Sequence, residues 1–172
     1  DDLLEWVKPT TGKDEVLLVS AKGQAIRFKE KDIRSMGRTA AGVRGIRLGK
    51  NDTVVGMDII GSDMKKADLI TIMEKGFGKR SALSGYKAQG RGGSGIKTAK
   101  ITDKTGPIVM ARAIDSGSIP EGASGDLLIM SSNGQVIRIT RKNVPVLGRQ
   151  TQGVRVMRFK EDSDTVATVT LL

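Results

Sequence analysis

Positive charge recurs along this chain at fixed intervals, and permanently charged side chains held in a repeating frame are suited to binding phosphates. Counting from Gly23, Gly76 and Gly134, arginine stands four residues on (Arg27, Arg80, Arg138) and again fifteen residues on (Arg38, Arg91, Arg149). Cations also fill plus twenty-one (Arg44, Lys97, Arg155) and plus twenty-four (Arg47, Lys100, Arg158). Glycines keep the frame, with Gly37, Gly90 and Gly148 at plus fourteen and Gly42, Gly95 and Gly153 at plus nineteen. The unit reads G-x3-R…G-R-x3-G-[VI]-[RK]-x2-[RK], and the spacing inside it never slips.

The composition narrows what those charges bind. Lys and Arg number 29 against 19 Asp and Glu, a net charge of +10 that draws polyanions. Nucleic acid leads over an anionic membrane: there is no apolar run of about eighteen residues and no basic amphipathic helix. The first residues, Asp1-Asp2-Leu3-Leu4-Glu5, lack the positive start of a signal peptide. One Trp, one Tyr and three Phe leave almost no platform for stacking single-stranded bases. No recognition helix presents recurring Asn, Gln or Arg for base reading. Double-stranded DNA, read by charge and shape, is the expected partner. The absence of Cys fits a reducing cytosol, and without His as well there are no thiolate or imidazole metal sites and no histidine-based triads.

Three enzyme-like features yield to plainer readings. Gly90-Arg91-Gly92-Gly93-Ser94-Gly95 matches G-x-G-x-x-G, with Asp115 twenty residues beyond its last glycine. A dinucleotide site needs a helix after those glycines, whereas 97–107 is rich in β-branched residues and closes on Gly106-Pro107. Tyr86 has the type of a DNA-cleaving nucleophile, yet its offset of ten holds Ile33 and Val144 in the other units, the pattern of a core position. Glu161-Asp162-Ser163-Asp164 lies in a turn between strands and lacks the spacing of a calcium loop. Trp6 and the seven Met residues are read as core filling. No catalytic and no metal-binding residue is predicted.

The elements that must position the charges are short strands. Apolar runs at 17–20, 70–73 and 128–131 each lead to a turn ending in the origin glycine, of which Asn133-Gly134 is the clearest, and a second β-prone run follows. A third apolar segment follows the plus-nineteen glycine, and a fourth lies at 54–57, 108–111 and 166–169. Four strands in about fifty residues, repeated, predict an all-β fold of propeller-like blades. Residues 1–14 are read as the end strand of a preceding blade plus a linker, 15–67 as the first blade repeat, 68–125 as the second with a linker containing Pro120, and 126–172 as the third. Since a propeller closes with about four to eight blades, the chain is expected to be part of a larger domain.

A solvated face with strand-end salt bridges is the ordinary account of any one arginine. Threefold recurrence with few acidic residues interleaved favours a shared task instead, a basic rim that neutralises phosphates as duplex DNA passes from blade to blade. The residues assigned to that rim are Arg38, Arg44, Arg47, Arg91, Lys97, Lys100, Arg149, Arg155 and Arg158. Plus twenty-one and plus twenty-four have opposite parity, so a flat strand would send them to opposite faces; a loop or bulge is required there. The rival reading is an interaction propeller whose positive rim meets an acidic protein.

Gln89-Gly90-Arg91-Gly92-Gly93-Ser94-Gly95 resembles the Q-R-R-G-G-K-G box of the DNA gyrase A C-terminal domain, with Gly90 in place of the second-position Arg and Ser94 in place of Lys. Gln24–Lys29, 34–38, 42–48 and 148–154 resemble the same family, so the likeness covers the whole chain. It implies a six-bladed β-pinwheel with strands exchanged between blades, of which this chain would be about the last three, the C-terminal half of the domain. It adds Gln89, Gly92, Gly93 and Gly95 to the DNA-binding residues. It also implies a non-catalytic domain that wraps DNA to direct negative supercoiling, in the cytoplasm of a bacterium, near the nucleoid. The partners implied are the remainder of the gyrase A polypeptide and the gyrase B polypeptide, with ATP and Mg used elsewhere in the holoenzyme and no cofactor on this chain. The related domain of topoisomerase IV is the alternative within the same class.

Overall fold

The computed structural model describes residues 3–64, 66–116 and 124–172; Asp1, Asp2, Lys65 and most of the second linker, including Pro120, lie outside the described residues. Its strands are β1 (Glu15–Ser20), β2 (Gln24–Lys29), β3 (Val54–Ile60), β4 (Ala67–Met73), β5 (Phe77–Ala82), β6 (Ile96–Lys97), β7 (Ile108–Asp115), β8 (Asp126–Ser131), β9 (Val136–Thr140), β10 (Val154–Arg155) and β11 (Val166–Leu171). The only helical pieces among the described residues are three single 3-10 turns, at Glu30–Asp32, Leu83–Gly85 and Arg141–Asn143. The fold is all-β, as expected.

Each unit begins with an antiparallel hairpin, β1–β2, β4–β5 or β8–β9. The origin glycine closes each turn with the same bond, from Gly23 to Ser20 O (3.0 Å), Gly76 to Met73 O (2.9 Å) and Gly134 to Ser131 O (3.0 Å). The unit's last strand returns to pair with the first strand of its hairpin: β3 with β1, β7 with β4 and β11 with β8.

The third apolar segment does something else. Instead of joining its own sheet, as four strands per unit would require, it crosses to the sheet before it, the exchange of strands between blades that the family resemblance implied. Ile96–Lys97 of the second unit pairs with Gln24 and Ala25 of the first, and Val154–Arg155 of the third pairs with Phe77 and Gly78 of the second. The sheet orders are therefore β3-β1-β2-β6 and β7-β4-β5-β10, while the third sheet has three strands, β11-β8-β9. The matching segment of the first unit, 42–48, forms no strand.

Burial follows from this stacking. The middle sheet is covered on both faces, so β4 is buried at six of its seven positions and alternation disappears. One apolar cluster, including Leu17, Val19, Leu69 and Met73, fills the space between the first two sheets. A second, including Ile70, Ile72, Leu127 and Ile129, fills the space between the second and third. The free outer face of the first sheet packs Val16, Ile26 and Phe28 against Ile46. Asp58 ties sheets one and two together, accepting from Ala113 N at 2.7 Å and pairing with Arg112 at 3.2 Å. Residues 3–11 form no strand in this structure; Lys8 reaches Asp58 at 3.5 Å instead. Trp6 is only half-buried and Met130 is exposed, so neither is the core filler expected of it, whereas Met73 and Met157 are.

Candidate nucleic-acid interface

The repeated cations divide by offset into three environments. At plus four the arginines are structural. Arg27 pairs with Glu15, Arg80 with Asp68 at 2.9 Å and Arg138 with Asp126 at 2.8 Å, each acid standing eight residues before its origin glycine. The first two also reach into the next unit: Arg27 donates to Leu83 O and Tyr86 O (both 3.3 Å), and Arg80 donates to Val144 O (2.7 Å).

At plus fifteen the arginines reach the opposite way. Arg91 donates to Arg44 O and to Asp32 O, and Arg149 donates to Lys97 O at 2.8 Å. In both units the acceptor is the plus-twenty-one carbonyl of the unit before. Arg149 also lies over the Tyr86 ring, 5.6 Å from its centroid. Both side chains are committed to the joints, whereas the Arg38 side chain makes no hydrogen bond, ion pair or ring contact among the described residues. The rim role expected of Arg91 and Arg149 thus meets a geometry that points them at backbone carbonyls.

Plus twenty-one and plus twenty-four present the solvent-facing charge. Arg44, Arg47, Lys97, Lys100, Arg155 and Arg158 are all exposed. Among the described residues none of their side chains has an ion-pair partner, and only Arg155 has a ring contact, 4.9 Å from the Phe77 centroid. The parity problem is met because Lys97 ends β6 and Arg155 ends β10, with Lys100 and Arg158 in the irregular backbone beyond.

The same backbone bonds fix these positions at both joints. Gln89 N donates to Arg27 O and Leu147 N to Arg80 O, each at 2.8 Å. Arg47 N donates to Gly93 O (2.8 Å) and Lys100 N to Thr151 O (3.1 Å). Plus-twenty-four of one unit therefore runs beside the plus-fifteen loop of the next. Gly92 of that loop donates to Gly45 O (2.8 Å). The plus-nineteen glycines make the crossing possible: Gly95 and Gly153 have φ of +72° and +79°. A Cβ on Gly153 would fall 2.6 Å from Gly78 O, and one on Gly95 would strike Ala25 O. Only glycine fits both demands.

The three enzyme-like features lie in ordinary structural settings. Gly90–Gly95 runs into β6, with no helix behind it. Tyr86 is 1% exposed, its hydroxyl bonded to Thr98 Oγ1, and burial raises its pKa, which opposes phenolate formation. Asp164 caps the third hairpin turn, accepting from Asn133 N (3.0 Å) and Thr165 N (2.9 Å). Among the described residues no three acidic side chains gather where they could hold a metal ion, and no helix is long and apolar enough to cross a membrane.

Three segments, 14–60, 67–113 and 125–172, match the family model described as DNA gyrase C-terminal domain, beta-propeller. The chain belongs to that family. The DNA gyrase A protein of Staphylococcus epidermidis is 40% identical over 169 residues, and that of Klebsiella oxytoca 37% over 166. These alignments cover 98% and 96% of this gyrase C-terminal domain chain, which spans 18% of the length of either relative. A solved gyrase A C-terminal domain superimposes with a TM-score of 0.78 at 25% identity, covering 93% of this chain and 51% of the other. The C-terminal domain of a topoisomerase IV gives 0.79 at 21% identity, covering 92% and 46%, and shares the fold.

Proposed function

We propose that this gyrase C-terminal domain chain binds and bends duplex DNA without catalysing a reaction, as the wrapping element of a type II topoisomerase. The observation that carries this reading is the recurrence of exposed, unpaired cations at plus twenty-one and plus twenty-four, the first two pairs held beside the next unit's plus-fifteen loop by the same backbone bonds. Phosphates are bound by such groups without regard to sequence, and a contact set repeated from sheet to sheet favours a curved path. In this reading Arg44, Arg47, Lys97, Lys100, Arg155 and Arg158 meet phosphates directly. Gln89, Gly92, Gly93, Gly95, Arg91 and Arg149 shape the joints, and Arg38 is the plus-fifteen side chain free to do either. The rest of the gyrase A polypeptide, its gyrase B partner, ATP and Mg supply strand passage, in the bacterial cytoplasm close to the nucleoid. The related domain of topoisomerase IV, which shares the fold, is the alternative within the same class.

A titration against duplexes of increasing length at two salt concentrations tests it. Affinity should rise with length, and neutralising about six phosphates gives a log–log salt slope near −5. The triple variant Arg47→Gln, Lys100→Gln, Arg158→Gln should lose about half that slope while unfolding at the wild-type urea midpoint. Length-independent binding with shallow salt dependence would instead indicate an acidic protein partner.

A further inference from the structure

Lys79 is the one lysine among the described residues that is fully buried, with 0% exposure, and no carboxylate pairs with it. It stands at plus three on β5, where the other two units carry Ile26 and Ile137. Its ammonium donates to Gly148 O (2.8 Å), Arg149 O (2.5 Å) and Thr151 Oγ1 (3.3 Å), which uses all three of its protons. All three acceptors belong to the plus-fifteen loop of the third unit.

The consequence lies in the peptide planes. In a trans peptide the C=O of one residue and the N–H of the next point in opposite directions. No peptide bond among the described residues is cis. With the Gly148 and Arg149 carbonyls drawn inward onto a buried ammonium, the Arg149 and Gln150 N–H groups point outward. Neither has an acceptor within the described residues, and Gly148 and Gln150 are exposed. At the other joint the residue beneath the loop is Ile26, and the amide equivalent to Gln150, that of Gly92, is consumed by Gly45 O. Successive outward N–H groups form a concave anion site, and backbone amides are regular phosphate ligands.

We propose that the Gly148–Thr151 loop binds a phosphate through the Arg149 and Gln150 amides, with Lys79 as the positioning residue that turns those amides outward. Lys79 does not touch the ligand; it fixes the peptide orientation and places a positive charge behind it. Besides Lys79, Arg149 lies within the loop, and Lys100 adjoins it through its backbone N–H, which donates to Thr151 O. The duplex-DNA part of this assignment rests on the function proposed above, whereas the phosphate site stands on the loop alone.

Backbone 15N NMR with inorganic phosphate as the probe tests the site on the full chain. The Arg149 and Gln150 amide resonances should shift on titration, with the Arg91 and Gly92 resonances moving far less. In Lys79→Ile, which copies the residue of the other two units, the Arg149 and Gln150 response should fall at least about threefold, with the remaining resonances in place. Lys79→Arg, which keeps the charge and the donors, should restore part of it. Unmoved Arg149 and Gln150 amides in the wild type would overturn the proposal, as would an equal response in Lys79→Ile. Should Lys79→Ile fail to fold, the wild-type titration decides alone. Duplex affinity is read in parallel: loss of the loop contact should reduce the salt slope by about one. A phosphate response without any duplex binding would overturn the wrapping function and leave the loop site standing.

Discussion

Arginines that look equivalent in the sequence differ in what they hold, and substitution should separate them. Arg149 packs on Tyr86 and donates to Lys97 O at the surface, where water replaces the lost donor, so Arg149→Ala should destabilise the fold by about 1–1.5 kcal/mol. Arg47→Gln, at an exposed position, should stay within about 0.5 kcal/mol. Urea denaturation of the two variants checks the contrast, and equal midpoints would show that the joint contact carries no stability. Lys79 adds a pH dependence. Burial first, then the nearby Arg149 charge, lower its pKa from 10.5 to about 8. Above pH 8 the folded state has released this proton while the unfolded chain still binds it. Stability contributed by this site should therefore rise between pH 8 and about 10.5, and Lys79→Met should flatten that rise. The salt-bridge role of the plus-four arginines went unread, although its signal is there: Glu15, Asp68 and Asp126 recur eight residues before the origin glycines. The role of the plus-fifteen arginines left no such signal. A charge at a fixed offset looks the same whether it meets a phosphate or a neighbour's carbonyl, and only packing distinguishes the two.

At the scale of elements, hairpins were legible because their determinants are local: an apolar run, a glycine turn and a second run. The destination of the third segment was not, since Ile96 pairs with Ala25, far back in the chain, and nothing in a two-residue strand names its partner edge. The glycine before it is the visible trace. Gly153→Ala forces a side chain into positive φ against Gly78 O, so β10 should detach from β5. Hydrogen exchange should then speed up at Val156, whose amide bonds to Gly76 O, while β8 and β9 keep their protection. Unchanged protection at Val156 would show that β10 tolerates the added methyl. The 3-10 turns at Glu30–Asp32, Leu83–Gly85 and Arg141–Asn143 went unread, although their offsets are identical, because three-residue turns leave no hydrophobic period.

At the scale of the whole molecule, sheets share strands, so stability is pooled between neighbours. In stacked repeats the interface between units contributes alongside each unit's own stability. Removing 124–172 should weaken the second sheet as well as delete the third, because it takes β10, the cover over Ile70 and Ile72, and the carbonyls that hold Lys79. The shortened chain should show lower protection at β5 than at β1, measured by hydrogen exchange. Protection at β5 equal to that in the complete chain would mean that the sheets stand independently.

The lending of strands backward along the chain sets an order on biosynthesis. A sheet gains its outer strand only after the ribosome has made the unit that follows, which at about 5–20 residues per second takes roughly 3–10 s. During that interval β2, and later β5, waits with an open edge, and an open edge invites a strand from any nascent chain nearby. The charged residues at those edges, Arg27 and Lys29 on β2 and Lys79 and Arg80 on β5, make poor company for an apolar intruder. Each unit thus completes its predecessor as it emerges, and the youngest part of the growing polypeptide acts as chaperone to the part made just before it.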